Sequence, residues 1–197
     1  MNGTMNRSIK NTRNLTFLAL MLAVTIVLDL TPLGAVPLGS ISATVVHIPT
    51  IITGVLLGPV AGCIMGTLLG VISLIHAVTR PMTIIDPLFI NPLISVLPRM
   101  LIGVVSYYVY RLLYKAVKAP ASGFIAGIAG SLTNTGLVFL MLYLIYAQEV
   151  AEKLGVAFKA MVVSVFTTNA IAEAVVSGVL TMAITLAYKK YSKTNKE

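Results

Sequence analysis

The sequence predicts an all-α membrane protein with six transmembrane helices, both termini in the cytoplasm and a ligand cavity facing outward. Three observations carry that prediction. The chain is 57% hydrophobic and only 10% charged, against about 25% charged in soluble domains. Its apolar stretches recur at span length between short turns, with a mean hydropathy of +0.96. Its basic residues segregate by loop. The 197 residues suit one membrane domain over 15–188, with polar tails at 1–14 and 189–197.

The first span is Leu15–Leu30, apolar except for Thr16, Thr25 and Asp29, and just long enough to cross at about 1.5 Å per residue. The basic segment before it lacks a cleavage site, so this helix is expected to be retained. Thr31-Pro32-Leu33-Gly34 ends it. Ala43–Leu57 is a short second stretch, interrupted by His47-Ile48-Pro49. Gly58-Pro59 reads as a tight turn. Val60–Ile75, Ile94–Tyr114, Ala121–Ala147 and Val156–Tyr188 supply the remaining spans. Gly62, Gly66 and Gly70 fall on one helix face, a strip that lets helices approach closely in lipid.

An even number of spans puts both ends on one side. Arg7, Lys10, Arg13, Arg111, Lys115, Lys118, Lys189, Lys190, Lys193 and Lys196 fall with the termini, ten of the fourteen basic residues. Arg80, Arg99, Lys153 and Lys159 fall opposite. That bias makes the terminal side cytoplasmic. The net charge of +8 then reflects topology and anionic lipid, with no nucleic-acid partner.

Leu74–Leu101 interrupts this oily pattern with Pro81, Pro87, Pro92 and Pro98. Proline removes a backbone donor and disfavours helix in the residue before it. Irregular backbone near a membrane is tolerated only where protein buries it or a wet cavity lies beside it. The segment is therefore expected to fold over an outer cavity holding a small polar molecule. Candidate ligand-binding residues follow from that placement. Arg99 either snorkels to the interface or forks onto a carboxylate or phosphate. Arg80 has the same alternatives, with Asp86 as its ion-pair partner or as a contact for ligand hydroxyls. Asn91 lies in the same segment. His47 and His76 carry a donor and an acceptor each, and their spacing fits no metal motif. Asn134, Asn169 and Glu173 are polar groups inside spans, where they are costly and usually face a cavity. Their alternative is a structural hydrogen-bond network. Asp29 is expected to face interfacial water.

Enzyme signatures are missing: no HExxH, no GxSxG and no phosphate-binding glycine loop. No cofactor and no metal are predicted. The single Cys63 excludes an intrachain disulfide. The chain also lacks room for two inverted repeats of ordinary transporter length, so a transport role needs partner subunits. A stand-alone membrane enzyme and a ligand-free scaffold are the alternatives from other classes.

Six spans in this length, the short second helix, Leu56–Gly62 with its glycine strip, and the long outer loop resemble a substrate-binding S component of bacterial and archaeal energy-coupling factor vitamin transporters. The resemblance covers about Asn14 to Tyr188. It implies a vitamin ligand bound on the outer side, and a transmembrane T subunit with two ATPases as partners. It also implies that Ala19 and Ala23, an Ala-x-x-x-Ala pair on the first helix, dock against the T subunit. Ala43–Ile52, Ser73–Pro81 and Leu97–Tyr110 are most similar to the pantothenate-type branch. Riboflavin, folate and thiamine-type ligands are the alternatives within the family, the first two disfavoured by few aromatics and no Trp.

Overall fold

The computed structural model describes residues 12–31, 34–38, 41–81, 86–117, 119–154 and 169–194. Among the described residues, five helices are long and apolar enough to cross a membrane: α1 (Thr12–Leu30), α3 (Pro59–Thr79), the Pro92–Leu113 stretch, the Ala119–Gln148 part of α6 and the Ile171–Lys190 part of α7. The third of these comprises α4 (Pro92–Ser95) and α5 (Leu97–Leu113). Helix α6 covers Ala119–Leu154 and kinks at Tyr146, and α7 covers Ile171–Thr194. Exposed Leu20, Val27, Val60, Leu112, Leu144 and Ile171 give the bundle a lipid-compatible exterior.

Helix α2 (Ile48–Leu57) is different, because every one of its residues is buried. Ten residues reach about 15 Å, roughly half of a hydrocarbon core. The second apolar stretch starts helically at Ile48 and not at Ala43, because Ile41–Thr44 is a strand, β2. It pairs antiparallel with β1 (Ala35–Leu38), Ala35 opposite Thr44. Pro49 then suits the first turn of α2, where a missing N–H costs nothing. The hairpin thus occupies the level that a longer α2 would have filled. Gly58 ends α2 and caps α3 with φ 109°, a conformation that L side chains rarely adopt. The expected turn at Gly58-Pro59 is present.

Glycines set how closely the bundle packs. A Cβ on Gly54 would press into the Gly103 carbonyl and lie 2.7 Å from the Gly103 Cα. One on Gly62 would lie 2.8 Å from the Gly54 Cα and 2.9 Å from the Gly103 Cα. Helices α2, α3 and α5 therefore meet backbone to backbone at one point. Gly66 and Gly70 continue the seam against Arg99 and Val96, as the glycine strip anticipates. On the other side, a Cβ on Gly130 would meet the Ser106 hydroxyl and lie 2.7 Å from Ile51 Cγ1. One on Gly127 would lie 2.7 Å from the Gly178 Cα, which fixes α6 against α7.

Helix α1 is the least embedded span, with Asn14 and Thr25 its buried residues. Its N-terminal part meets the last helix through Phe17 and Tyr188, packed edge to face at 6.1 Å. The first and last helices thus begin and finish at the same end of the bundle.

The glycine seam makes a direct prediction. Gly54→Ala should cost about 1–3 kcal/mol, the usual penalty for overpacking, because only backbone surrounds the new methyl. Gly136→Ala meets nothing within 4 Å and should be neutral or stabilising, since alanine is the better helix former. Thermal unfolding in detergent would compare them; equal effects would mean that backbone contact at the seam is not limiting.

Candidate functional site

The same glycines fix the vertical register of the polar residues. Gly130, Ile51 and Ser106 share one layer. One turn, about 6 Å, beyond Gly130 on α6 lies Asn134. One turn before Ile51 on α2 lies His47. Two turns before Ser106 on α5 lies Arg99. On α7, Ser177 is level with Gly127, and Glu173 and Asn169 follow one and two turns further out. Five of the sequence candidates, Arg99, His47, Asn134, Glu173 and Asn169, therefore lie beyond that layer, on the side of the N-terminal end of α2.

Arg99 is placed by the residue before it. Pro98 has no N–H, so the Ile94 carbonyl four residues back loses its helical donor. The chain breaks helix at Val96, and Arg99 Nη1 donates to the Ile94 carbonyl at 2.7 Å instead. The guanidinium also lies over the Phe89 ring, 5.3 Å from its centroid. Phe89 belongs to a 3-10 turn (Asp86–Ile90) whose carbonyl at Phe89 accepts from the Ser95 hydroxyl. Arg99 is half-buried and does not snorkel. Among the described residues no carboxylate lies within ion-pair distance of it.

His47 caps α2 and is buried. Its Nε2 shares a hydrogen bond with the Ser177 hydroxyl at 3.1 Å, while its Nδ1 is buried without a partner. It is close enough to Arg99 to feel that charge. Asn134 Oδ1 is likewise buried and unpartnered. Buried polar atoms are normally hydrogen-bonded, so these two unpartnered atoms mark a place where something polar is expected. Glu173 accepts from the Thr44 backbone N–H at 2.9 Å. It ties the hairpin to α7. Asn169 precedes α7 in a short π turn and is half-buried.

The other candidates go elsewhere. His76 and Arg80 both turn to Asp29 of α1. His76 Nδ1 lies 3.2 Å from Asp29 Oδ1, and Arg80 Nη2 lies 3.6 Å from Asp29 Oδ2. Asp29 does not simply face water, as the sequence suggested: its side chain is only 13% exposed. His76 and Arg80 together offset the cost of that burial. Asn91 caps α4, accepting from the Leu93 N–H at 3.0 Å, and donates to the Tyr146 hydroxyl at 3.5 Å. The Asp86 side chain lies outside the described residues. Sequence reasoning missed Phe89 and Ser177. Phe89 carried no periodic signal. Ser177 was legible, since Asn169, Glu173 and Ser177 repeat every four residues on one helix face.

A multi-pass helical bundle that gathers uncompensated polar groups above a buried half-length helix is a solute-binding membrane protein. The chain matches the family described as ECF transporter, substrate-specific component, over residues 13–185. It belongs to that family. It is 29% identical over 164 residues to the pantothenic acid transporter PanT of Lactococcus lactis subsp. cremoris, covering 76% of this chain and 79% of that protein. It is 28% identical over 113 residues to the pantothenate transporter PanT of Leuconostoc mesenteroides subsp. mesenteroides, covering 55% of each.

The Glu173 contact can be tested apart from any ligand. Glu173→Gln keeps an acceptor for the Thr44 amide, whereas Glu173→Ala removes it. Hydrogen exchange at Thr44 should quicken clearly in the alanine variant and modestly in the glutamine variant, since a charged acceptor contributes more. Identical exchange in all three proteins would mean that strand pairing alone holds the hairpin.

Proposed function

We propose that this chain is the vitamin-binding subunit of an ATP-driven importer and that its ligand is pantothenate. The observation that carries the reading is Arg99: a half-buried, seated guanidinium with no carboxylate of the described residues beside it. A buried cation without an anion is costly, and a ligand carboxylate would complete it. Pantothenate offers a carboxylate, an amide and two hydroxyls. The carboxylate takes the free donors of Arg99, which stays charged at any accessible pH. Asn134, Asn169 and His47 take the amide and hydroxyls. Both relatives carry pantothenate in their names, which supports the same ligand here. The positive end of α2 points toward the same level and favours an anion there.

The chain crosses the membrane six times in this reading, α2 being the short pass. Both tails, 1–14 and 189–197, are cytoplasmic, on the strength of the ten-to-four basic bias. A transmembrane T subunit and two ATPases supply coupling and ATP hydrolysis. Ala19 and Ala23 are exposed on α1, as a docking pair must be.

Calorimetry on the purified chain tests the ligand and its anchor. Arg99→Ala should weaken pantothenate binding by about 10- to 100-fold, the scale of a charge-assisted hydrogen bond of roughly 1.5–3 kcal/mol. Arg99→Lys should fall between, keeping the charge but losing the planar fork. Pantothenol, with an alcohol in place of the carboxylate, should bind more weakly than pantothenate. Equal affinity for the two compounds, or full affinity in Arg99→Ala, would remove the anion clamp. Binding of neither would move the reading to another vitamin.

Docking is tested by replacing Ala19 and Ala23 together with Trp. Transport by the assembled complex should be lost while the isolated chain still binds its ligand. Unimpaired transport would place the docking face elsewhere.

A further inference from the structure

We infer that Pro98 and Phe89 are specificity-determining positioning residues: they set the Arg99 fork toward an anionic ligand without contacting that ligand. The inference rests on the anion site proposed above. It starts from what an arginine at the head of a membrane helix would otherwise do. Its long stem would carry the guanidinium out to the interface, where it would be hydrated and mobile. Here two features oppose that. The Ile94 carbonyl is left without its intrahelical donor because residue 98 is proline, and Arg99 Nη1 fills the gap at 2.7 Å. The Phe89 ring supports the guanidinium at 5.3 Å, a cation–π contact that strengthens as water is excluded.

The two contacts use one N–H and one face of a group that has five N–H donors. The remaining donors have no protein acceptor among the described residues. A fork held in this way is pre-organised, so less side-chain freedom is lost when a carboxylate arrives. The ring itself is fixed from below. Phe89 packs with Leu88, Ile94, Val138 and Leu142, and its carbonyl accepts from the Ser95 hydroxyl. The proline is thus not merely a helix breaker. It converts a backbone acceptor into a seat for the arginine that follows it.

The substitutions that test this act on opposite sides of the seat. Pro98→Ala restores a backbone N–H that competes with Arg99 for the Ile94 carbonyl. Phe89→Leu keeps apolar volume but removes the π face, and Phe89→Tyr keeps that face. Pantothenate and pantothenol binding to each purified full-length variant would be measured by calorimetry, with thermal unfolding alongside and Arg99→Ala as reference. Pro98→Ala and Phe89→Leu should each weaken pantothenate binding by about 3- to 30-fold, the range a partly desolvated cation–π contact spans. Their affinity for pantothenol should stay within about twofold, because the uncharged analogue does not draw on the fork. Phe89→Tyr should retain the pantothenate preference. A merely structural role would lower both affinities together, and that result would overturn the inference. So would unchanged pantothenate binding in both Pro98→Ala and Phe89→Leu while Arg99→Ala binds weakly. If Arg99→Ala itself binds normally, or the unaltered protein binds neither compound, the anion-site reading fails and this inference fails with it.

Discussion

The close approach of three backbones at Gly54, Gly62 and Gly103 is the constraint on which the rest depends. In lipid there is no hydrophobic drive for one apolar helix to seek another, so packing must come from dense van der Waals contact. Three glycines at one crossing supply that density for a helix of only ten residues. Once α2 is seated at depth, its N-terminal end is fixed near mid-bundle. The space above it has to be filled by something other than helix. The β1–β2 hairpin, His47 and the Arg99 turn occupy it, and each is polar or irregular because it no longer has to satisfy itself against lipid tails alone.

That arrangement explains why polar groups collect at one end. Irregular backbone releases carbonyls and amides that side chains must answer. Glu173 answers the Thr44 amide, Asn91 the Leu93 amide and Arg99 the Ile94 carbonyl. Among the described residues, His47 Nδ1 and Asn134 Oδ1 are buried without a hydrogen-bond partner, as are side-chain polar atoms of Thr50, Tyr110, Ser131, Thr181 and Lys189. Asn91, His76 and Arg80, by contrast, have side-chain or backbone partners within the protein.

Much of the fold was legible in the chain. Hydropathy, turn residues and the glycine period located α1, α3, α5 and α6 and the Gly58-Pro59 turn, because those signals are local. The start of α2 was not, since Ala43–Leu57 is uniformly apolar and only pairing with Ala35–Leu38 turns its first part into strand. The site was legible in residue type but not in partnership. Arg99, Asn134, Asn169, Glu173 and His47 are conspicuous because polar groups are expensive among apolar ones. Which of two acids would meet Arg80 depends on how α1 lies against α3, and no local pattern encodes that. Asp29, 51 residues earlier, lies beside Arg80.

Helix α1 carries specific side-chain contacts near each of its ends. Asp29 meets His76 and Arg80 at its C-terminal end, and Phe17 meets Tyr188 near its N-terminal end. Between them lie Ala19 and Ala23, both exposed. On the side away from those alanines, Met21 packs against the core and Thr25 is fully buried. The span is therefore held along its length, and Ala19 and Ala23 sit on a stiff backing rather than on a helix free to bend away from whatever presses on it.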